Sequence, residues 1–393
     1  MISPVRVVRR AAGQILRAAP LHVAPLALWR KLLPKTDFGV CYHMVSDGPV
    51  RHLKHYRFLD TDMFESDLDY LDGRFEFVSY EELARRRTAM PLERRNSLIL
   101  TFDDGFAECA TVVAPLLRRR GLRCVFFVVT DLIDNHVLFR ESAASLCIEA
   151  ILRMPFEQVE SIIAELGPGA QLRPRPNDSL SEPTTTLPFG LADLDGNLDP
   201  RLLPLVRWLL QLTANEEPLV QRLLVRLGID SRDYLQEAQP YLTTEQLRQL
   251  HADGFTIGAH SCSHRRLQDL SRVDAEHEIV ESCRIIRDIT GERKVPFAFP
   301  YFGGGLDRAW LAGLRARHVI AGYGSGRLCA ERRLNRTPAL TGTQLLAGIP
   351  QRCSRMKVPA LLRASRPGSK RAFHRCQAWI MWGQISRLTG TSA

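Results

Sequence analysis

The sequence predicts an α/β fold in which helices pack outside a parallel sheet. Two observations carry that reading. Short apolar runs of strand character alternate with segments whose apolar residues recur at helical spacing, the βαβ pattern of a parallel sheet. The runs are mainly apolar, as in SLILTF (97–102) and RCVFFVV (123–129), and helical segments fall between them. A third observation bounds the fold: the alternation breaks beyond residue 134 and resumes near residue 241, so a helical insertion interrupts it.

Taken in order, residues 38–45, FGVCYHMV, read as a short buried strand. DMFESDLDYLD (62–72) places Phe64, Leu68 and Leu71 at helical spacing opposite an acidic face. FEFVSY (75–80) is a second strand, with Ser79 as N-cap of the helix that begins EELARR. SLILTF is a third strand and runs directly into Asp103-Asp104-Gly105. The helix ATVVAPLLRRRG ends on Gly121 as its C′ glycine, and RCVFFVV is a fourth strand. Residues 141–165 and 201–228 have helical character. The stretch between them, GPGAQLRPRPNDSLSEPTTTLPFG, reads as a loop or disordered linker from its Pro, Gly, Ser and Thr. A helix follows from Thr243, with Thr243, Thr244 and Glu245 as its cap. Then come strand 255–260, a helix over 273–289, strand 295–300, a helix over 307–317 and strand 318–324.

Composition narrows the function classes. No run reaches the ~18 apolar residues of a bilayer-spanning helix. The net charge of +10 is concentrated at the ends: residues 1–35 hold seven Arg and Lys and no acid, and residues 352–393 hold nine and no acid, so the middle is net negative. Basic ends suit peripheral contact with an anionic membrane or an anionic substrate. They also arise in an Arg-rich surface with no partner. Nucleic acid is disfavoured, since no finger, RNP or basic-zipper pattern accompanies them. The nine cysteines are odd in number and none sits at CxxC spacing, which points to a reducing compartment. The first 29 residues lack a continuous apolar core and read as an amphipathic surface segment rather than a signal peptide. The expected location is cytoplasmic, peripheral at the inner membrane face. Near the other end, Trp379, Ile380, Trp382, Ile385 and Leu388 form an apolar stretch that either docks on the fold or lies in a membrane interface.

Three motifs carry chemistry. Asp103 and Asp104 sit at the C-terminal end of an apolar strand, where parallel α/β folds place their active sites. Adjacent side chains on an extended chain point apart, so a turn at Gly105 is needed to bring both carboxylates into one pocket. A solvated Asp-Asp-Gly turn explains this motif equally well. His260-Ser261-Cys262-Ser263-His264 follows the strand FTIGA. Histidines four apart on a helical turn face the same way and suit a transition metal. Ser261 and Ser263 are expected to cap that helix, and Cys262 to pack. Phe297-Ala298-Phe299-Pro300-Tyr301 ends in a glycine loop whose N–H groups can approach a substrate oxygen.

Together, in this order, the motifs resemble the polysaccharide deacetylase family, carbohydrate esterase family 4 or NodB-homology, over about residues 38–130 and 240–340. The resemblance implies a distorted (β/α) barrel of that type. Its parts would be a basic segment (1–36), the first part of the barrel (37–134), the helical insertion (135–240), the second part of the barrel (241–345) and a basic segment (346–393). It implies a divalent metal held by Asp104, His260 and His264. Zn2+ is favoured, and Ni2+, Co2+ and Fe2+ also fit N2O ligation. Asp103 would be the general base, and Pro300 and the Tyr301 N–H would serve the substrate and the oxyanion. The implied activity is hydrolysis of an N-acetyl, or another N-acyl, amide on an amino sugar of a polysaccharide, glycolipid or glycan precursor. A non-catalytic glycan-binding or scaffold member is the rival. The chain departs from the family pattern twice. No late Leu-x-His motif supplies a general acid: His318 starts a strand and His374 lies in the basic tail. His43, in a Tyr-His at the end of the first strand, resembles the acid of the permuted branch of the family. Ala298 stands where an arginine commonly pairs with the base. Arg336 is the candidate replacement, and a plain surface arginine is the alternative.

Overall fold

The computed structural model describes residues 38–54, 58–88, 97–166, 199–212, 214–318 and 320–324. The basic ends, the Pro- and Ser-rich linker and Arg336 lie outside the described residues, as do His374 and the tryptophan stretch.

Seven strands form one parallel sheet: β1 (Phe38–Tyr42), β2 (Glu76–Phe77), β3 (Ser97–Phe102), β4 (Cys124–Val128), β5 (Thr256–Ala259), β6 (Val295–Ala298) and β7 (Ile320–Gly324). The order is β1-β3-β4-β5-β6-β7, with β2 also on β3, and every pairing is parallel. This is the parallel (β/α) arrangement expected. Among the described residues β1 and β7 share no pairing, so no hydrogen bonds between them close the barrel.

The helices between strands are α1 (Thr61–Asp72), α2 (Tyr80–Thr88), α3 (Ala114–Arg119, entered through a π-turn at Cys109–Val113), α9 (Thr244–Ala252), α10 (Arg272–Thr290) and α11 (Arg308–Arg317). Between β4 and α9 lie α4 (Arg140–Ile151), α5 (Phe156–Leu166), α6 (Leu203–Leu209), α7 (Glu217–Arg226) and α8 (Ser231–Ala238). Local chemistry starts and stops them, at Ser79 and Thr243 as read from the sequence. Asp60, Ser271 and Asp307 cap α1, α10 and α11, and the Glu82 N–H donates to Ser79 Oγ (3.1 Å) at the start of α2. Thr243 caps α9 in a reciprocal box with Gln246.

The period of two along the strands divides the core. Leu98, Leu100, Phe102, Phe126, Val128 and Phe297 face α1, α3, α9, α10 and α11 in the main apolar cluster. Ile99, Val125, Phe127 and Ala298 face the other way, against Val78 and Leu83. On that second face there is no room for a further side chain at Gly258, where a Cβ would lie 2.5 Å from the Phe127 ring and 2.9 Å from the Pro296 carbonyl oxygen. A separate cluster joins the middle helices: α4 packs on α6 and α7, α5 packs on α7, and Met44, Val50, Leu53 and Phe106 join them. Asn135 holds this segment at its exit, through hydrogen bonds to the Tyr241 carbonyl (3.0 Å) and N–H (2.9 Å).

The structure corrects three expectations. The strand expected over 75–80 is only Glu76–Phe77. Beyond Leu98 the same edge of β3 pairs with β4, from Leu100 onward, and Ser79 already opens a helix. His318 closes α11 rather than starting β7, its N–H bonded to the Leu314 carbonyl. The third correction concerns the histidine motif, below. Among the described residues no helix is long and apolar enough to cross a membrane.

Candidate metal centre and active site

Parallel strands end together, and the motif residues emerge at that end. The backbone pairing continues one residue past the strands: the Asp103 N–H donates to the Tyr42 carbonyl (3.0 Å) and the His260 N–H to the Val128 carbonyl (2.8 Å). Asp103 and Asp104 then diverge. Asp104 (φ 76°) and Gly105 (φ 83°) adopt left-handed backbone, which turns the second carboxylate toward the histidines. Only glycine fits at 105, because a Cβ there would lie 2.9 Å from Val128 Cγ1.

Residues 260–264 do not form the expected helical turn. His260 extends β5, and Ser261 (φ 66°) and His264 (φ 55°) are left-handed. The loop is held by a carboxylate rather than by helix carbonyls: the Cys262 and Ser263 N–H groups both donate to Glu278 Oε2 (2.9 Å each), and Ser263 Oγ donates to Glu278 Oε1. Ser261 Oγ accepts from the His264 N–H (2.9 Å). The serines therefore shape this loop instead of capping a helix, while Cys262 packs in a buried position as expected. Left-handed non-glycine residues each cost on the order of 1–2 kcal/mol. Tyr301 (φ 57°) makes a fourth at this site, and such strain gathers where function fixes side chains.

His260 and His264 meet the same carboxylate. Asp104 Oδ1 lies 3.6 Å from His260 Nε2 and 3.4 Å from His264 Nε2. Asp103 Oδ2 is 3.9 Å from His260 Nε2. One donor atom from each of Asp104, His260 and His264 falls within 4.8 Å of the others. All four side chains are buried. The His260 Nδ1 atom is 3.0 Å from the Ala298 carbonyl, so it carries the proton and Nε2 presents a lone pair toward Asp104. Burial lowers the His260 pKa, which favours that neutral form. Two acceptor atoms turned toward each other in a buried site require a cation between them. The donor set of two imidazoles and a carboxylate fits a divalent transition metal, with positions left for water or substrate.

His43 arrives beside Asp103. A ring nitrogen of His43, Cys41 Sγ and an Asp103 oxygen lie within 4.8 Å of one another. Asp103 thus stands between the metal-ligand set and His43. Pro300 is buried at the exit of β6, and the Tyr301 ring packs 5.0 Å from the His264 ring. Ala298, at the position of the missing arginine, is fully buried and gives the site only its carbonyl.

The sequence reading missed Glu141 and Arg140, which reach the site from the start of α4. Glu141 Oε1 lies 3.8 Å from His264 Nδ1 and accepts hydrogen bonds from the Tyr301 hydroxyl (2.7 Å) and Arg140 Nη2 (2.6 Å). Arg140 Nη2 also donates to the Tyr301 hydroxyl (3.1 Å). His264 is thereby held from its far edge, with Phe139 packed edge-on at 5.1 Å. Burial opposes charge on His264, but Glu141 and Asp104 outweigh it and raise its pKa. Burial likewise opposes charge on Glu141, yet His264, Arg140 and Tyr301 hold its carboxyl far below the usual range. An acid in the first turn of a helix is ordinary, so nothing in the sequence marked Glu141. Glu278 left a faint signal, as a charge on the otherwise apolar or small-residue stripe Ala275, Ile279, Ser282, Cys283 and Ile286.

Comparison with known proteins agrees with the motifs. A sequence model of polysaccharide deacetylases matches residues 93–161 and 223–315. Over those two stretches the chain is similar to the polysaccharide deacetylase family. The matched stretches contain Asp103, Asp104, Glu141, His260, His264 and Tyr301, and they leave out β1 with His43. That similarity supports hydrolytic deacetylation of a carbohydrate. Solved structures with some likeness include the Streptococcus pyogenes deacetylase PplD in complex with acetate, 14% identical, with 72% of this chain and 78% of that chain covered and a TM-score of 0.39. A de-N-acetylase from Aggregatibacter actinomycetemcomitans is 15% identical, with 74% and 87% covered and a TM-score of 0.38. IcaB from Ammonifex degensii is 14% identical, with 75% and 85% covered and a TM-score of 0.41. Among curated proteins none matches.

Proposed function

We propose that this chain is a metal-dependent N-deacetylase acting on an N-acetylated amino sugar within a polysaccharide or glycan precursor. One observation carries the reading: a buried carboxylate, Asp103, stands between an Asp-His-His ligand set and a histidine from a different strand. Hydrolysis of an amide needs a base for the water, a stabilised oxyanion and an acid for the departing amine. Asp104, His260 and His264 would hold a divalent ion, which would supply Lewis-acid polarisation and lower the pKa of water at the site. Asp103 takes the proton of that water. His43 delivers a proton to the amine nitrogen as the carbon–nitrogen bond breaks. The Tyr301 N–H donates to the developing oxyanion, and the Glu141–Arg140 pair fixes both the Tyr301 side chain and His264. The basic ends fit work beside an anionic membrane surface at the cytoplasmic face, on an anionic precursor.

The test is acetate release from N-acetylated oligosaccharides together with metal content per chain. Asp103→Asn is expected to keep its metal and lose activity on the order of 1,000-fold. Asp104→Ala is expected to lose both. An Asp103→Asn protein as active as wild type would sink this mechanism. A wild-type protein that holds its metal and binds glycan without releasing acetate would make the chain a glycan-binding member of the family.

A further inference from the structure

We propose that Cys41, His43 and Asp103 form a second metal site, for a thiophilic divalent ion such as Zn2+, whose occupation inhibits the enzyme. The metal-binding half stands on geometry alone; the inhibitory half rests on the function proposed above.

The sheet places the three ligands together. Cys41 and His43 are two apart on an extended chain, so they share a face. Cys41 pairs in register with Thr101 across β1 and β3, and Asp103 is two beyond Thr101, so it shares that face as well. The result is one thiol sulfur, one imidazole nitrogen and one carboxylate oxygen within 4.8 Å of one another. A four-coordinate Zn2+ with ligand bonds of about 2.0–2.3 Å sets its ligand atoms roughly 3.3–3.7 Å apart, so small side-chain rotations close the site. Asp103 is 7% exposed, and its Oδ1 atom is buried with no hydrogen-bond partner among the described residues. The Cys41 sulfur lies 3.4 Å from the Tyr42 carbonyl and faces the Asp103 and Thr101 side chains.

The two ligand sets differ in softness. Asp104, His260 and His264 offer nitrogen and oxygen, whereas the second set adds sulfur, which favours Zn2+ over harder ions. Binding replaces the thiol proton with the ion and releases one proton to solvent. Asp103 and His43 are then held as ligands, so neither can move a proton for the reaction.

The experiment titrates the metal-free full chain with Co2+ and with Zn2+. It reads equivalents bound, the sulfur-to-cobalt charge-transfer absorption, and acetate release. Wild type is expected to bind two equivalents, with the charge-transfer band growing in on the second and acetate release falling as excess Zn2+ is added. Cys41→Ala should keep the first equivalent and the basal rate but lose the band. Loss of one of three ligands should raise the Zn2+ concentration for half-inhibition at least about tenfold, since even an outer-shell partner is worth 10–100-fold. Asp104→Ala should lose the first equivalent and retain the band, which separates failure of this site from failure of the deacetylase reading. A single equivalent without a band in wild type, or a band that persists in Cys41→Ala, overturns the proposal.

Discussion

The strand ends and the middle helices contribute to one site by different routes. At the strand ends, residues adjacent in sequence stay adjacent in space: Asp103 with Asp104, His260 near His264, Pro300 with Tyr301. In the middle helices, Glu141 reaches His264 across 123 positions of sequence and Tyr301 across 160. The two regions also keep separate apolar clusters. The comparison teaches that the reacting groups belong to the sheet, while their orientation is shared with a helical layer that carries no motif of its own.

Removing one large side chain from each cluster tests that separateness most severely. Phe126→Ala in the sheet cluster is expected to cost about 3–5 kcal/mol, and Leu146→Ala in the α4 cluster about 2–5 kcal/mol. Chemical denaturation followed by far-ultraviolet circular dichroism reads both. Two transitions in Leu146→Ala, with the sheet melting second, would sharpen the division. A single shifted transition in both variants would show that the clusters unfold as one.

One pH effect belongs to the helical side. His52 is buried, with Nδ1 2.8 Å from the Tyr234 hydroxyl and its ring stacked on Phe106. Burial, with Lys54 nearby, lowers its pKa to about 4. The unfolded chain, with an ordinary histidine near 6.5, binds a proton in the window between those values that the folded chain does not. The His52 contribution to stability is therefore complete above pH 6.5 and is lost as pH drops toward 4, by about 3 kcal/mol in all. His52→Phe should flatten that part of the stability–pH curve. A slope unchanged in the variant would assign it to other groups.

The bridge between the regions is Glu141. Glu141→Gln keeps the shape and removes the charge facing His264. Metal affinity is expected to weaken about 10–100-fold, measured by competition with a chelating dye. Glu141→Asp should recover part of it. Unchanged affinity in Glu141→Gln would break the link between α4 and the metal centre. The smallest effect is local: Thr243→Ala removes the cap of α9 and should cost about 1 kcal/mol of stability in the same denaturation assay.

Most strands and helices were legible because their signals are local. The apolar run 97–102 is a strand of six buried residues, and Ser79, Thr243 and Gly121 punctuate helices where their chemistry requires. The short β2 was not legible, because competition with β4 for one edge of β3 is a matter of pairing. The backbone at 260–264 was not legible either. Histidines four apart read as a helical turn, whereas Glu278, fourteen residues beyond His264, holds the loop and so imposes left-handed backbone at Ser261 and His264.

The sequence by itself determined the reacting residue types, their placement at strand ends and the family they resemble, because motif adjacency and strand period are properties of a few neighbouring residues. Only the tertiary structure decided that His43 and Cys41 stand beside Asp103, since that follows from the register of β1 on β3. It also decided that Glu141 and Arg140 complete the surroundings of His264 and that the Asp103 carboxylate is buried, because each depends on which elements pack together and exclude water.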